Sequence, residues 1–370
     1  MTLLKRTEHA FKAAFLASIK MLLRRKRSFP SPLNATKMNR VLFLRPEKIG
    51  DMVISLPVFE ALKTAFPHLA ISVLASPRSL SLVNDDPRFE KIFVYDKSVV
   101  GSLRLLGQLK RERFDCILDM IDNDSATTLI CSQYIAGGAP TISIGKEQFA
   151  EFYDFNHPHS DGVGGHIIDN PLNLLVPLGV EVKNANRYAP PFVPSEVQKR
   201  AKDFLSQCKE PDANGIIAVN LSAGRPNRMW PVTNFVELVN QLLEAHPDYA
   251  IILIVVPNDR KRAEEVCARV KKAVAVVPDK QSLTEVSAII SGCDLLISPD
   301  TSLIHIARSF QVPVVGLYND ARKNFKRWQP YDQPDGTVIA KDKDSLNDIE
   351  PSRVASQVSV VLARLGKAVV

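Results

Sequence analysis

Short apolar runs alternate with amphipathic segments along most of the chain. In the first half, the apolar runs typical of buried strands are residues 41–45, 71–75, 92–95, 116–119 and 141–144. Segments with helical spacing of apolar positions separate these runs, at residues 55–66, 103–113 and 125–135. Strands that alternate with helices in this way predict a parallel sheet with helices on both faces.

The same alternation returns in the second half. Its apolar runs are residues 216–221, 250–256, 273–277, 295–298 and 314–318. Its predicted helices are residues 233–246, 259–272, 283–291, 302–310 and 351–365. The pattern predicts a second parallel sheet, so we expect two doubly wound α/β domains that face each other across a cleft.

Two stretches interrupt this pattern and divide the chain. Residues 147–165 are polar and rich in Gly and His, which predicts a long loop before a helix at residues 167–178. Residues 187–194 contain three prolines and indicate a linker. We accordingly predict four parts, which are an extension at residues 1–36, a first domain at 37–190, a second domain at 191–350 and a C-terminal helix at 351–370.

Positive charge is concentrated at the N-terminus. The chain has 370 residues, is 45% hydrophobic and 24% charged, and carries a formal net charge of +7. Residues 1–40 contain ten Lys or Arg and one Glu, so the remaining residues sum to −2. A nearly neutral body argues against nucleic acid as a partner, because nucleic-acid-binding domains carry a basic face of their own.

The basic extension has the pattern of an amphipathic helix. A stripe of apolar residues with helical spacing lies beside a stripe of Lys and Arg. The apolar residues are Leu4, Phe11, Phe15, Ile19 and Leu22. Such a helix can lie on an anionic membrane surface, or it can pack on the body with its charged face in solvent. The residues alone leave both interpretations open.

Other sequence features indicate a cytoplasmic protein. The chain has no run of about 18 apolar residues that would form a transmembrane helix. Its N-terminal apolar stretch is flanked by Lys and is followed by no small-residue cleavage site, unlike a secretory signal. The five cysteines form no CxxC pair, as expected of free thiols in a reducing compartment. If the extension binds a membrane, we expect the inner face of the cytoplasmic membrane.

Three loops at predicted strand ends carry candidate functional residues. In open α/β sheets, ligands bind beyond the carboxyl ends of strands, beside helix N-termini. The first loop follows residues 41–45 and contains Lys48, Gly50 and Asp51. Asp51 suits a helix cap or a general base that takes a proton from a substrate hydroxyl, and by itself the sequence favours the cap.

The second loop has the composition of a phosphate site. It follows residues 216–221 and contains Ser222, Gly224, Arg225 and Arg228. Small residues allow a ligand to approach the backbone closely, and guanidinium groups match pairs of phosphate oxygens. The alternative interpretation is a surface loop with solvated cations.

The third loop opens a predicted helix with Asp300, Thr301, Ser302 and His305. Backbone N–H groups at a helix start attract anions, although a plain Asp or Thr cap has the same sequence. We include His305 in this donor-binding set, although its place one turn into the helix favours packing. Asp259, after residues 250–256, suits either a ribose hydroxyl or a helix cap.

Acidic and His residues in the predicted 147–165 loop and just after it have the composition of a metal site. They are Asp154, His157, His159, Asp161 and His166. They lack the regular ligand spacing that identifies structural zinc sites. We therefore predict no metal and no other cofactor.

Together, the three loops resemble glycosyltransferase family 9, the bacterial lipopolysaccharide heptosyltransferases. The motifs that carry the resemblance are Lys48-Ile49-Gly50-Asp51 with Ser55-Leu56-Pro57, Arg228-Met229-Trp230-Pro231 with Phe235, and Asp300-Thr301-Ser302 with His305-Ile306-Ala307. The resemblance runs from about residue 40 to the C-terminus. It departs from the family pattern at Ser302, where the family has Gly.

The resemblance implies a GT-B fold, in which the first Rossmann-like domain binds the acceptor and the second binds a nucleotide sugar. It implies inverting, metal-independent transfer of a heptose from an ADP-activated donor to a lipopolysaccharide core sugar. Asp51 matches the catalytic base, and Arg228 matches the cation that stabilises the departing ADP. Asp300, Thr301 and Ser302 match the donor-binding helix start.

Three other functions are compatible with parts of this pattern. A GT-B enzyme acting on another nucleotide sugar or another glycan acceptor would share the fold and the loops. A dinucleotide-dependent oxidoreductase would need a GxGxxG motif after the first strand, and none is there. A non-catalytic, membrane-associated GT-B-like binding protein would have no use for Asp51 and Arg228.

Overall fold

Both predicted sheets are present in the structure, a computed structural model that describes residues 21, 23, 25–96, 98–159, 165–211, 213–319, 322–333 and 335–367. The strands of the first sheet are β1 (Arg40–Arg45), β2 (Ala70–Ala75), β3 (Phe89–Val94), β4 (Cys116–Asp119), β5 (Thr141–Ile144) and β6 (Phe155–His157). They are all parallel and lie in the order β3-β2-β1-β4-β5-β6.

The second sheet repeats this architecture. Its strands are β7 (Gly215–Asn220), β8 (Tyr249–Ile254), β9 (Ala275–Val276), β10 (Leu295–Pro299), β11 (Val314–Tyr318) and β12 (Thr337–Ile339). They are parallel, in the order β12-β11-β10-β7-β8-β9. The central strands are buried along their whole length, which explains why they appear in the sequence as continuous apolar runs.

Helices connect the strands. In the part of the first half that the structure describes, they are α1 (Ile49–Val53), α2 (Leu56–Ala65), α3 (Val99–Arg111), α4 (Ala126–Ala136) and α5 (Asp169–Leu172). In the described second half they are α6 (Ser195–Cys208), α7 (Val232–Ala245), α8 (Arg260–Arg269), α9 (Leu283–Ser291), α10 (Ser302–Ser309), α11 (Arg322–Trp328) and α12 (Pro351–Lys367). The short 3-10 helices are Ala35–Lys37, Leu80–Leu82, Ala150–Phe152, Asn173–Leu178, Pro226–Arg228 and Pro257–Asp259.

The strand order places a crevice at the middle of each sheet. In the first sheet β1 lies beside β4, and in the second β7 lies beside β10. The connections after such neighbouring strands leave in opposite directions, which opens a ligand crevice at the carboxyl edge. All three candidate loops follow strands at these positions, because they come after β1, β7 and β10.

The two sheets are joined through the helices that start at these crevices. Met52 of α1 and Ile304 of α10 are fully buried and belong to one hydrophobic cluster. Polar contacts add to this packing, since Arg327 Nη2 lies 2.9 Å from Asp122 Oδ2. Tyr188 donates a hydrogen bond from its hydroxyl to Asp332 Oδ2 at 2.6 Å.

Several short or irregular elements were not predicted. The region predicted as a long loop at residues 147–165 contains a 3-10 helix and β6, so that prediction was wrong for residues 150–157. The predicted helix at 167–178 is α5 followed by a 3-10 helix that contains Pro177, which has no N–H to donate. The helices α1, α6 and α11 and the strand β12 were also missed.

The predicted extension lies only in part within the described residues. Its apolar stripe falls on residues outside those described, so the membrane prediction is not tested there. Residues 25–36, by contrast, pack on the body: Leu33 and Ala35 are buried in the core, and the Leu33 N–H donates to Pro177 O. The domain boundaries drawn from the sequence stay a prediction.

Candidate active site

Asp51 lies in the first turn of α1 and caps it. The Lys48 N–H donates to Asp51 Oδ2 at 3.0 Å, which satisfies one of the unpaired donors at the helix start. The Ser55 hydroxyl donates to the Asp51 carbonyl at 2.7 Å. Asp51 Oδ1 faces Arg45 Nη2 at 3.9 Å. The cap leaves Oδ1 free of backbone hydrogen bonds among the described residues, so a cap and a proton acceptor are compatible in one side chain.

Arg45, the last residue of β1, holds this loop through hydrogen bonds from its guanidinium group. Its side chain is almost fully buried and donates from Nε to the Asp51 carbonyl at 3.0 Å and from Nη1 to Glu47 Oε2 at 2.7 Å. Nη1 also donates to the Met120 carbonyl, which follows β4. One guanidinium thus ties the β1 loop to the β4 loop across the crevice. The available signal was an Arg at the end of an apolar strand, two residues before a Glu, and the sequence analysis assigned neither residue a role.

Glu47 is a second carboxylate beside Asp51. Burial raises the pKa of Glu47 to about 7, and it outweighs the opposing effect of Arg45. The negative charges of Asp51, Asp122 and Asp119 raise this pKa further. The β1 loop therefore holds a carboxyl group that titrates near neutral pH.

We expect Glu47→Gln to change how stability depends on pH. Folding raises the pKa of Glu47 from 4.5 to about 7, so between these pH values the native chain binds more protons than the unfolded chain. The free energy of unfolding therefore falls as the pH rises through that window. Gln does not titrate. The difference in unfolding free energy, variant minus wild type, should grow by about 1–2 kcal/mol between pH 5 and pH 8 in urea titrations.

The control for this variant is Glu237→Gln, at an exposed position of α7. Its difference from wild type should stay constant across the same pH range. Parallel curves for Glu47→Gln and wild type would show that the carboxyl group of Glu47 is not perturbed by folding.

On the second sheet, Asn220 holds three loops together at the end of β7. Its side chain is buried, and Nδ2 donates to Ser222 O at 3.0 Å and to Ser298 Oγ at 2.9 Å. The Ser222 N–H donates back to Asn220 Oδ1 at 3.1 Å, and the Val256 N–H donates to Ser222 Oγ at 3.0 Å. Ser222 is therefore occupied in shaping the loop. Sequence reasoning did not identify Asn220 or Ser298, because a single Asn at a strand end has no distinguishing pattern.

Arg228 and Asp300 form the charged pair at this site. Arg228 Nη1 lies 3.0 Å from Asp300 Oδ2 and donates to the Asp300 carbonyl at 3.1 Å. Burial raises the pKa of Asp300, and the positive charges of Arg228, Arg225 and Lys48 lower it. The charge of Lys48 acts on Asp300 from the other sheet, so the β1 loop and the β10 loop face each other across the cleft.

The helix α10 begins at this pair. Thr301 is its N-cap, and the Leu303 N–H donates to Thr301 Oγ1 at 3.3 Å. A Cβ placed on Gly50 would lie 3.9 Å from Ser302 Cβ and 3.6 Å from His305 Cδ2. The starts of α1 and α10 are therefore in contact, which brings the Asp51 loop to the proposed anion site.

His305 packs beneath this contact. Its ring is buried, 5.4 Å from the ring of Trp328 and 6.3 Å from that of His166. Burial and the neighbouring His166 lower the pKa of His305 to about 3. The ring is thus neutral at physiological pH and offers no charge to a diphosphate.

The remaining sequence candidates line the same edge of the second sheet. Arg225 is exposed, and a Cβ added at Gly224 would meet no protein atom within 4 Å. Asp259, after β8, is the N-cap residue of α8 but makes no capping hydrogen bond with its side chain. Their roles in ligand binding stay predictions.

Asp154 and His166, two described members of the Asp and His set weighed as a metal site, have other partners. Asp154 accepts from the Thr141 N–H at 2.9 Å, and His166 Nε2 is 2.8 Å from Gln329 O. Asp161 lies outside the described residues. Across the described part of the chain, no group of three or more His, Cys, Asp or Glu is arranged to hold a metal ion.

A buried ion pair supports the β4 loop from within the first sheet. Lys146 Nζ lies 3.0 Å from Asp119 Oδ2 and donates to the carbonyls of Ile121 and Asn123 at 2.6 and 2.9 Å. The Tyr153 hydroxyl donates to Asp119 Oδ2 at 2.5 Å. This network fixes the loop that Arg45 also contacts.

Comparison with known proteins identifies the family of this chain. The model of the family "Glycosyltransferase family 9 (heptosyltransferase)" matches residues 102–354, more than half of the chain. The chain belongs to glycosyltransferase family 9. The matched stretch of this family 9 protein includes Arg228 and Asp300 and begins after Asp51. The resemblance drawn from the three loops is confirmed, and the protein is a glycosyltransferase.

Relatives of this family 9 glycosyltransferase agree over most of its length. It is 24% identical to the lipopolysaccharide core heptosyltransferase OpsX of Haemophilus influenzae, over 86% of this chain and 89% of that protein. The crystal structure of a family 9 glycosyltransferase from Veillonella parvula matches with a TM-score of 0.75 and 20% identity, covering 90% of this chain and 99% of that one. The E. coli ADP-heptose lps heptosyltransferase II matches with a TM-score of 0.69 and 17% identity, covering 88% and 99%. The predicted GT-B fold of two Rossmann-like domains is confirmed.

Proposed function

We propose that this glycosyltransferase moves a heptose from ADP-heptose to a sugar of the lipopolysaccharide core, with inversion at the anomeric carbon. The observation that carries the proposal is the contact between the starts of α1 and α10. Through this contact the loop that holds the Asp51 carboxylate faces the positively charged loop proposed to bind the diphosphate. The names of the relatives, a core heptosyltransferase and an ADP-heptose heptosyltransferase, support the choice of sugar, nucleotide and acceptor.

In this mechanism Asp51 is the general base. Asp51 takes the proton of the acceptor hydroxyl, whose oxygen attacks the anomeric carbon while the bond from that carbon to the diphosphate breaks. Arg45 Nη2, which lies 3.9 Å from Asp51 Oδ1, and the Lys48 N–H, which donates to Oδ2, hold the carboxylate in place before the substrate arrives. A base fixed in this way loses little entropy on reaching the reacting geometry.

The departing ADP gains negative charge, and the second sheet supplies the opposite charge. Arg228, Arg225 and the N-terminal N–H groups of α10 surround the proposed diphosphate position. Asp259 is placed for a ribose hydroxyl at the end of β8. Because these groups supply positive charge where the negative charge of the diphosphate develops, we propose a reaction without a metal ion or other cofactor.

The membrane part of the proposal concerns the N-terminal extension. We assign its basic residues to the anionic inner face of the cytoplasmic membrane, where a lipid-linked acceptor is available. In the described part of the chain, no helix has the length and apolar content required to cross a bilayer. Since residues 25–36 pack on the body, we assign this contact to the basic residues that precede them in the sequence.

A binding titration with ADP, UDP, GDP and NAD tests the proposal. ADP should bind best, and Arg228→Ala should weaken ADP binding by about 10- to 100-fold, as expected from loss of a charge-assisted hydrogen bond. The matched control is Arg269→Ala, which removes an exposed cation of α8 and should leave ADP binding unchanged.

Each result of the titration has a definite meaning. Preference for UDP or GDP would rule out ADP-heptose but keep the GT-B enzyme. Binding of NAD alone would favour an oxidoreductase, and no nucleotide binding would favour a binding protein on this scaffold. Equal ADP affinity in wild type and Arg228→Ala would contradict the role of Arg228.

A further inference from the structure

Two neighbouring helices of the first domain expose large apolar side chains. At the start of α3, Val99, Val100 and Leu103 are 76%, 70% and 65% exposed. On α4, Ile130 and Tyr134 are 40% and 52% exposed. We call these five residues the α3–α4 face.

The two helices pack side by side, with the Val99–Leu103 group at the start of α3 and Tyr134 beside the end of α3. Lys110 Nζ, near the end of α3, donates to the Tyr134 carbonyl on α4 at 2.6 Å and lies 5.3 Å from the centre of the Tyr134 ring. Beneath the surface, Leu105 and Leu109 of α3 share a hydrophobic cluster with Ile135 of α4. The core is therefore already filled by the inner sides of both helices, and the exposed side chains serve no packing inside the domain.

The charged side chains on the two helices themselves are positive, and the carboxylates of Asp96, Glu112 and Asp124 flank the helix ends. The two helices contain Arg104, Lys110 and Arg111 and no acidic residue, and both Arg side chains belong to exposed residues. Pairing this face with a second copy of the chain would bring like charges together. An anionic bilayer instead offers apolar depth for the exposed side chains and phosphate for the cations.

The chain enters the body beside the same helices. Leu23 packs on a cluster that includes Leu129 of α4. Arg27 donates from Nη2 to Ala139 O, just beyond the end of α4, at 2.9 Å. Residues 1–20, which contain four Lys or Arg and one Glu, precede these contacts in the sequence.

We propose that the α3–α4 face docks on an anionic membrane, as a contact of the folded body in addition to the N-terminal segment. In a parallel sheet every crossover helix starts at the carboxyl edge, so the apolar start of α3 and Asp51 lie at the same edge of the first sheet. Docking there brings the mouth of the cleft to the bilayer. The use of this orientation rests on the proposed function, in which the acceptor is part of a membrane lipid.

The test measures co-sedimentation of the full chain with phosphatidylethanolamine vesicles that contain about 30% phosphatidylglycerol. The variant Val99→Ser/Val100→Ser/Leu103→Ser should bind these vesicles at least tenfold more weakly than wild type. A matched control is Val176→Ser/Val360→Ser, which changes apolar residues exposed elsewhere and should bind like wild type. Removing residues 1–20 should weaken binding without abolishing it, and joining that deletion to the triple variant should abolish it.

Vesicle binding is measured without donor or acceptor, and the ADP affinity of each variant is measured in parallel. A failure of the membrane-docking inference can therefore be told apart from a failure of the proposed function. Unchanged vesicle binding by the triple variant would overturn the inference, whatever the ADP result. Equal wild-type binding to neutral phosphatidylcholine vesicles would also overturn it. So would a wild-type dimer in sedimentation velocity that the triple variant converts to monomer while vesicle binding persists, because the face would then join two copies.

Discussion

Replacing Asp51 by Asn should lower the turnover number by about 100-fold or more, the usual cost of losing a general base. Asn keeps an oxygen that can accept the Lys48 N–H, so the cap of α1 and the fold are retained. Only the proton acceptor is lost. The measurement is initial rate at saturating donor and acceptor, together with ADP affinity and melting temperature.

The matched control is Asp85→Asn, which removes an exposed carboxylate outside the three candidate loops and should have normal turnover. ADP affinity of Asp51→Asn should stay within about twofold of wild type, because a base acts on the acceptor and not on the nucleotide. Normal turnover in Asp51→Asn would leave Asp51 as a helix cap alone and would direct attention to Glu47, the other carboxylate of the loop.

Replacing Lys146 by Met should lower the free energy of unfolding by about 3–5 kcal/mol. Met keeps most of the apolar stem but leaves the carboxylate of Asp119 buried without its countercharge. The carbonyls of Ile121 and Asn123 lose their donor as well. Urea denaturation at neutral pH measures the loss.

Two companion variants separate this charge effect from simple loss of a side chain. Lys146→Met/Asp119→Asn removes both charges and should recover part of the stability, since no unpaired buried ion remains. Lys91→Met breaks the exposed pair with Glu112 and should cost less than about 1 kcal/mol. A double variant less stable than Lys146→Met would show that Asp119 stabilises the fold through its hydrogen bonds rather than through the ion pair.

The accuracy of the strand predictions followed burial. β4 and β5 are buried along their whole length and were predicted at their observed bounds. β6 and β12 are three-residue strands with half-buried positions. β6 has no apolar run, and the run at β12, residues 338–340, is too short to distinguish a strand from a loop. The helix α6 was missed because it is mostly polar, with only Ala201 and Leu205 buried.

At the candidate site, sequence patterns identified the residues at strand ends but not those that hold them. The loops with Asp51, Arg228 and Asp300 were recognisable because Gly, Asp and Arg after an apolar run are typical of ligand loops in α/β sheets. Arg45 and Asn220 are single polar residues at the ends of apolar strands. Their importance comes from partners such as Met120 and Ser298, which lie about 75 residues away in the sequence.

Local sequence determined the alternation of strands and helices and the positions of the candidate loops, because buried strands and amphipathic helices leave periodic patterns in neighbouring residues. Only the tertiary structure decided that the start of α1 meets the start of α10, since Gly50 and Ser302 come together through the packing of two separate sheets. The raised pKa of Glu47 likewise arises from burial and from carboxylates on other elements. Such contacts depend on how distant segments pack, and no periodicity within a short stretch of chain records them.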